Sequence, residues 1–286
     1  MRLILSTLFL LVTFSLSAQT ELAKFPLPNR EFQVLPINTA LGEEGELMLL
    51  MDTRSDFHFA YLDSNINLLK RFSIPKTAGA LWDITISGVV NYTDELLIYC
   101  YANDFREGDY IVSIDKMARK TALQRIDVEL PRKVWLIKAF TYGEQFVKLY
   151  VDFKKEALRL LVFERERLVL NQSYPIPYPK IIDQLKRNAG TGIPRIVEDR
   201  INSIAIGAQK QKLYTLDGEI ILSVEDGEAG ATRFFTFQTD TWEMKEETYH
   251  YPSFSSSQEV MQINSMIFEG ILYQGLVNEE GLSLYQ

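Results

Sequence analysis

A unit of about 50 residues recurs along this chain, and a period of that length confines the fold to architectures that repeat one supersecondary unit. The recurring segments begin at Gly45 (GELMLLMDTRSDFHFAYLD), Asp94 (DELLIYCYANDFREGDYIVSID), Gly143 (GEQFVKLYVDFKKEALRLLVFE), Gly218 (GEIILSVEDGEAGATRFFTFQTD) and Gly270 (GILYQGLVNEEGLSLYQ), with spacings of 49, 49, 75 and 52 residues. Each opens on a turn residue, usually followed by Glu. An apolar run, a polar loop rich in acids and a second apolar run come next. In the second run apolar side chains alternate, as in Phe57, Phe59 and Tyr61, in Tyr110, Val112 and Ile114, and in Leu158, Leu160 and Val162. Period-two alternation puts one set of side chains on one face of an extended backbone, so these runs are predicted to be β-strands.

Two more strands are predicted in each unit. One precedes the turn, at residues 84–90, 135–140, 201–206 and 260–266, and another follows the second apolar run, at 68–74, 122–130, 168–174 and 246–251. Pro75, Pro131, Pro177 and Pro252 follow these last strands, at a place where a residue without an N–H ends pairing at little cost. The final unit stops at Gln286 inside its third strand, while residues 21–28 (ELAKFPLP) read as a stray fourth strand closed by Pro28. Pairing that segment with the final unit would leave no exposed edge. Over residues 21–286 the chain resembles exported β-propeller proteins. The resemblance implies an all-β fold, a β-propeller with about five four-stranded blades of about 50 residues and an N-terminal strand completing the last blade. It is a resemblance of architecture alone. There is no kelch glycine pair and no S-x-D-x-G-x-x-W box, and Trp82-Asp83 opens a first strand, where the WD repeat does not place its dipeptide. A fragment of a larger propeller fits the same ending, and a β-sandwich fits short, evenly spaced strands but does not require self-similarity.

Ahead of the repeats, Met1-Arg2, the apolar run from Leu3 to Leu16 and Ser17-Ala18-Gln19 read as an export signal over residues 1–18. Fourteen apolar residues fall short of the roughly 20 that span hydrocarbon, and no later run is longer, so the product expected is a soluble periplasmic or extracellular domain over residues 19–286. Its single Cys100 makes no internal disulfide, and its place in the apolar run 96–101 reads as a small buried hydrophobe rather than a reactive thiol. With 30 Lys and Arg against 38 Asp and Glu, the chain is not expected to bind nucleic acid. The sequons at Asn91 and Asn171 matter only where the secretory route glycosylates.

In propellers, ligand sites favour the face that carries the loops between second and third strands together with the loops between blades, and the central channel lined by first strands. Here the loops 52–56, 102–109, 152–157, 225–232 and 278–281 carry formal charges of -1, -2, 0, -3 and -2, as large together as the -8 of the whole chain. Such a rim would draw cations or a basic partner, though acidic hairpin loops also serve solubility. Glu225, Asp226 and Glu228 beside Gly227 form a weak calcium candidate without the spacing of a calcium loop; no other metal and no cofactor are expected. The loops between units are basic instead, with Arg132-Lys133 in one and Lys180, Lys186, Arg187, Arg195 and Arg200 in a long insertion over residues 171–200. Within it PKIIDQLKRN reads as a short amphipathic helix, expected to cap the channel mouth. Trp82 and Trp135 stand at the starts of two first strands, where they would make a stacking platform or ordinary core. Trp82, Trp135, Arg132 and Arg195 are therefore the candidate ligand contacts.

Catalytic chemistry is sparse. No G-x-S-x-G elbow occurs, and His58 and His250 are the only histidines, which nearly excludes a triad or a histidine metal site. The remaining enzyme reading comes from resemblance to five-bladed glycoside hydrolases, with Asp83, Glu198, Asp199 and Glu259 as the carboxylates from which an acid and a nucleophile or base would be drawn. The expectation is an exported, non-catalytic propeller scaffold that binds a protein, peptide or glycan on its loop face. The alternatives are that hydrolase, a structural part of an envelope assembly, or a fragment of a larger propeller protein.

Overall fold

The computed structural model describes residues 38–41, 47–52, 56–75, 84–102, 108–115, 121–189, 193, 195–197, 209–252, 260–279 and 281–286. Among them are twenty strands and one helix, divided between two compact units, Met1–Ile126 and Asp127–Gln286.

The first unit holds two antiparallel meanders. One is made of β1 (Asn38–Leu41), β2 (Leu47–Asp52), β3 (Asp56–Leu62) and β4 (Leu68–Pro75), the other of β5 (Ile84–Asn91), β6 (Glu95–Ala102), β7 (Gly108–Asp115) and β8 (Thr121–Ile126). Phe57 and Phe59 of β3 pack with Val89, Leu96, Ile98, Cys100, Tyr110, Val112 and Ile114 in one core. His58, on the other face of β3, is held by a 2.7 Å hydrogen bond between its Nδ1 and Ser73 Oγ, and burial lowers its pKa. The last strand of the second sheet stops at Ile126, earlier than the sequence suggests, its final pair with β7 being Asp109 and Ile126.

The second unit begins with a third meander, β9 (Val134–Tyr142), β10 (Gln145–Asp152), β11 (Ala157–Glu164) and β12 (Arg167–Pro175). Helix α1 (Pro179–Asn188) follows. The fourth sheet has five strands in sequence order, the three-residue β13 (Arg195–Val197), which is parallel to its neighbour, then β14 (Gln211–Leu216), β15 (Glu219–Asp226), β16 (Ala231–Gln238) and β17 (Met244–His250). The fifth has three among the described residues, β18 (Val260–Phe268), β19 (Ile271–Asn278) and β20 (Gly281–Tyr285).

Turn chemistry sets the registers. Leu216 pairs with Glu219 across Asp217-Gly218, where Gly218 has φ +77°, and Phe268 pairs with Ile271 across Glu269 and Gly270, both in the left-handed region at +50° and +72°. A two-residue turn with both residues left-handed, as at Glu269-Gly270, matches the twist of the strands it joins. The strand ahead of Gly218 must therefore run into the turn directly, and it is Gln211–Leu216; the segment 201–206, where the sequence places that strand, lies outside the described residues. The proline that closes β12 is likewise Pro175 and not Pro177.

The middle strands are covered on both faces. Leu158, Leu160 and Val162 of β11 pack with Val147, Leu149 and Val151 of β10 against Leu213, Ile220, Leu222, Val224, Phe235 and Phe237 of the fourth sheet, while Leu161 and Phe163 are buried on the opposite face. Helix α1 joins the same core through Ile181, Ile182 and Leu185 and rests on β9 and β10. Proline at its first turn and Lys186 and Arg187 in its last suit the free N–H groups and the dipole at its two ends.

Candidate functional site

The chain turns into β9 through Arg132 and Lys133, both exposed, with Lys133 in the left-handed region at φ +70°. Trp135, the second residue of that strand, is 48% exposed although it sits opposite buried Val151. Alongside runs the loop from β10 to β11, tied on by the Phe153 N–H, which donates to the Lys133 carbonyl at 3.3 Å. Asp152 organises that loop from inside. Its carboxylate is fully buried, and Oδ1 accepts from the N–H groups of Lys154 at 3.0 Å and Lys155 at 3.1 Å. Turned in, Asp152 leaves Lys154, Lys155 and Glu156 exposed at the tip. The basic end of α1 reaches the same place, with Lys186 Nζ 4.9 Å from the centre of the Phe153 ring.

Arg132 and Trp135 are thus brought together with Lys133, Lys154, Lys155 and Lys186. Sequence reasoning missed Lys154 and Lys155, because the loop counts as neutral when Asp152 is scored as a surface charge. The surface offers hydrogen-bond donors, positive charge and one aromatic plane, which is equipment for holding a ligand. Of the other candidates, Arg195 opens β13 opposite Leu213, and Trp82, Asp83, Glu198, Asp199 and Glu259 lie outside the described residues.

The carboxylates of the calcium candidate go to three different places. Glu225 turns into the seam between the fourth and fifth sheets, where Oε2 accepts from Thr232 Oγ1 and from the Tyr251 hydroxyl, each at 2.9 Å, and Oε1 accepts from Ser265 Oγ at 2.5 Å. Asp226 pairs with Arg233 Nε at 2.9 Å, and Glu228 pairs with Lys180 on the surface. Arg233 also stacks on the Tyr178 ring, with its guanidinium carbon 3.6 Å from the ring centre. Among the described residues no group of three or more His, Cys, Asp or Glu is placed to hold a metal ion.

Lys212 lies beside Glu225 in the seam and is also fully buried; its Nζ donates to Asn264 Oδ1 at 2.7 Å and to the Ser265 carbonyl at 2.6 Å. Burial pulls its amine down to about 8, against the opposing pull of the Glu225 charge, and burial pushes the Tyr214 phenol up to about 12 and the Tyr251 phenol well above its usual range. Every one of these polar groups is satisfied by its neighbours, so the cluster holds the two sheets together.

Together the described residues define an all-β protein of mainly antiparallel meander sheets with one helix. No protein-family model matches the chain, and no curated protein matches it. Similar solved structures include one of two prolyl endopeptidases, at 10% identity and a TM-score of 0.42, matched over 84% of this chain and 30% of that one. Another is an uncharacterised protein from Listeria monocytogenes, at 8% identity and a TM-score of 0.40, over 87% of this chain and 69% of that one. A third is the polysaccharide lyase Uly1, at 11% and 0.37, over 87% and 57%. The chain spans less than a third of the length of the prolyl endopeptidase it matches. Among the described residues no helix is long and apolar enough to cross a membrane.

Proposed function

We propose that this is an exported, non-catalytic binding scaffold of the β-propeller type, periplasmic or extracellular, whose five sheets are blades. Residues 21–28, which lie outside the described residues, are the proposed fourth strand of the fifth. Its ligand, a protein, peptide or glycan, is held on the surface at the start of β9. The observation that carries the reading is the exposure of Trp135 beside Arg132: an indole left half in water at the end of a strand whose other apolar residues are largely covered is a contact surface awaiting a partner. The completed fifth blade is supported by the last strand, where Leu282 and Leu284 are 65% and 74% exposed on a sheet edge.

The test is a screen of residues 19–286 against glycan and peptide arrays, repeated with Trp135→Ala and Arg132→Ala. Loss of the principal signal in both variants, with their melting temperatures unchanged, is the expected result. A signal that survives both places the ligand elsewhere and ends the reading.

A further inference from the structure

The charge of the surface at the start of β9 is the reverse of the charge of the molecule. The whole chain carries -8, yet Arg132, Lys133, Lys154, Lys155 and Lys186 are all exposed here, against Asp127, Glu129 and Glu156 as the exposed acids of the two loops that supply the first four. Folding keeps the Asp152 carboxylate off this surface, since it is buried beneath the lysines and engaged by their own backbone. Lys133 keeps a long cationic side chain at φ +70°, a conformation that non-glycine residues rarely adopt. Arg132, Lys133, Lys154 and Lys155 have no ion-pair partner among the described residues, so their charges are available to a ligand.

Resting on the binding surface proposed above, we infer that its ligand is an anionic polysaccharide, whose carboxylate or sulfate groups meet Arg132, Lys133, Lys154, Lys155 and Lys186 while a sugar ring lies on Trp135. Cations alone would suit any polyanion. The aromatic plane among them suits a polymer that alternates flat C–H faces with charges, because an indole stacks on such a face while nearby cations engage the charges. A nucleic acid or an acidic peptide offers the same sign of charge, and each is set against the polysaccharide in the titration.

The test is calorimetric titration of residues 19–286 with polygalacturonate and with chondroitin sulfate, beside neutral dextran, poly-glutamate and single-stranded DNA. Binding of at least one of the two acidic polysaccharides is expected, well above dextran and weakening with salt. Lys154→Glu/Lys155→Glu should weaken it at least tenfold. Trp135→Ala should weaken it severalfold while leaving any poly-glutamate binding unchanged, with all variants melting as the parent does. The inference is overturned if both acidic polysaccharides bind no better than dextran, if the charge-reversed variant binds them as the parent does, or if poly-glutamate or DNA binds more tightly. A neutral ligand found on the arrays and lost with Trp135→Ala would overturn the anionic class and leave the binding surface standing, whereas array signals indifferent to Trp135 and Arg132 remove the surface itself.

Discussion

Glu225 is the acceptor for three hydroxyl groups drawn from β16, β18 and the residue after β17, and Lys212 reaches from β14 to the same β18. Removing the acceptor leaves three buried donors without it, and an unsatisfied buried group costs about 1–3 kcal/mol. Glu225→Leu should therefore destabilise the chain by about 3 kcal/mol or more, and Glu225→Gln, which keeps part of the pattern, by less; chemical denaturation measures both. Lys212 gives a pH signature of definite sign. Its amine sits at about 8 when folded, below the 10.5 of a free lysine, so between those values the unfolded chain binds more protons than the folded one and stability from this group rises with pH. The stability difference between the parent and Lys212→Met should accordingly move in the parent's favour from pH 7.5 to 9.5, by an amount on the order of 1–3 kcal/mol; a difference flat across that window contradicts the assignment. The phenols of Tyr214 and Tyr251 act in the opposite sense. Raised in the folded state, they contribute stability that is present below pH 10 and lost above it, so the window must stop short of their titration.

At the scale of elements, helix α1 was legible because local signals agree: proline at the start, apolar residues at Ile181, Ile182 and Leu185 on one stripe, basic residues in the last turn and Gly190 just beyond. It was expected to cap a channel. Its apolar stripe is buried in the core that the third and fourth sheets share, so it is a packed element of the second unit. Leu185→Ala should cost 2–5 kcal/mol of stability, in the range for a fully buried leucine that leaves a cavity, and the loss of unfolding free energy measures it. Strand β14 was not legible. The sequence places that strand at 201–206, and nothing local announces that Lys212 will find Asn264 and Ser265 some fifty residues later. Strands with continuous burial, such as β10, were readable as strands but not by face, since both of their faces are covered.

At the scale of the molecule, the proposed completion of the fifth sheet makes residues 21–28 structural. Deleting residues 19–28 should lower the melting temperature by several degrees and promote association that depends on concentration, because β20 would offer a free, leucine-bearing edge to another chain. Differential scanning calorimetry with light scattering reads both effects, and a truncated chain that melts and sediments like the parent removes that strand from the fold. Charge belongs to this scale as well. The acidic rim expected from loop composition is reduced where it is described, since Glu225 is buried and Asp226 and Glu228 are paired, while the loop that counts as neutral presents lysines.

By itself the sequence determined what is short-range in this protein. Alternation marks most of the strands, glycine after a polar residue marks the tight turns, and the apolar stripe marks the helix, because each is a relation between residues a few positions apart. Tertiary structure alone decided which carboxylates face water. Glu225 and Asp152 stand in loops of the same kind as every other acid on that list, yet one is engaged by Ser265 forty residues on and the other by the backbone it folds under. The charge presented at the candidate site depends on the burial of Asp152, and that of the fourth sheet's loop on the burial of Glu225, which is a relation between segments far apart in the chain.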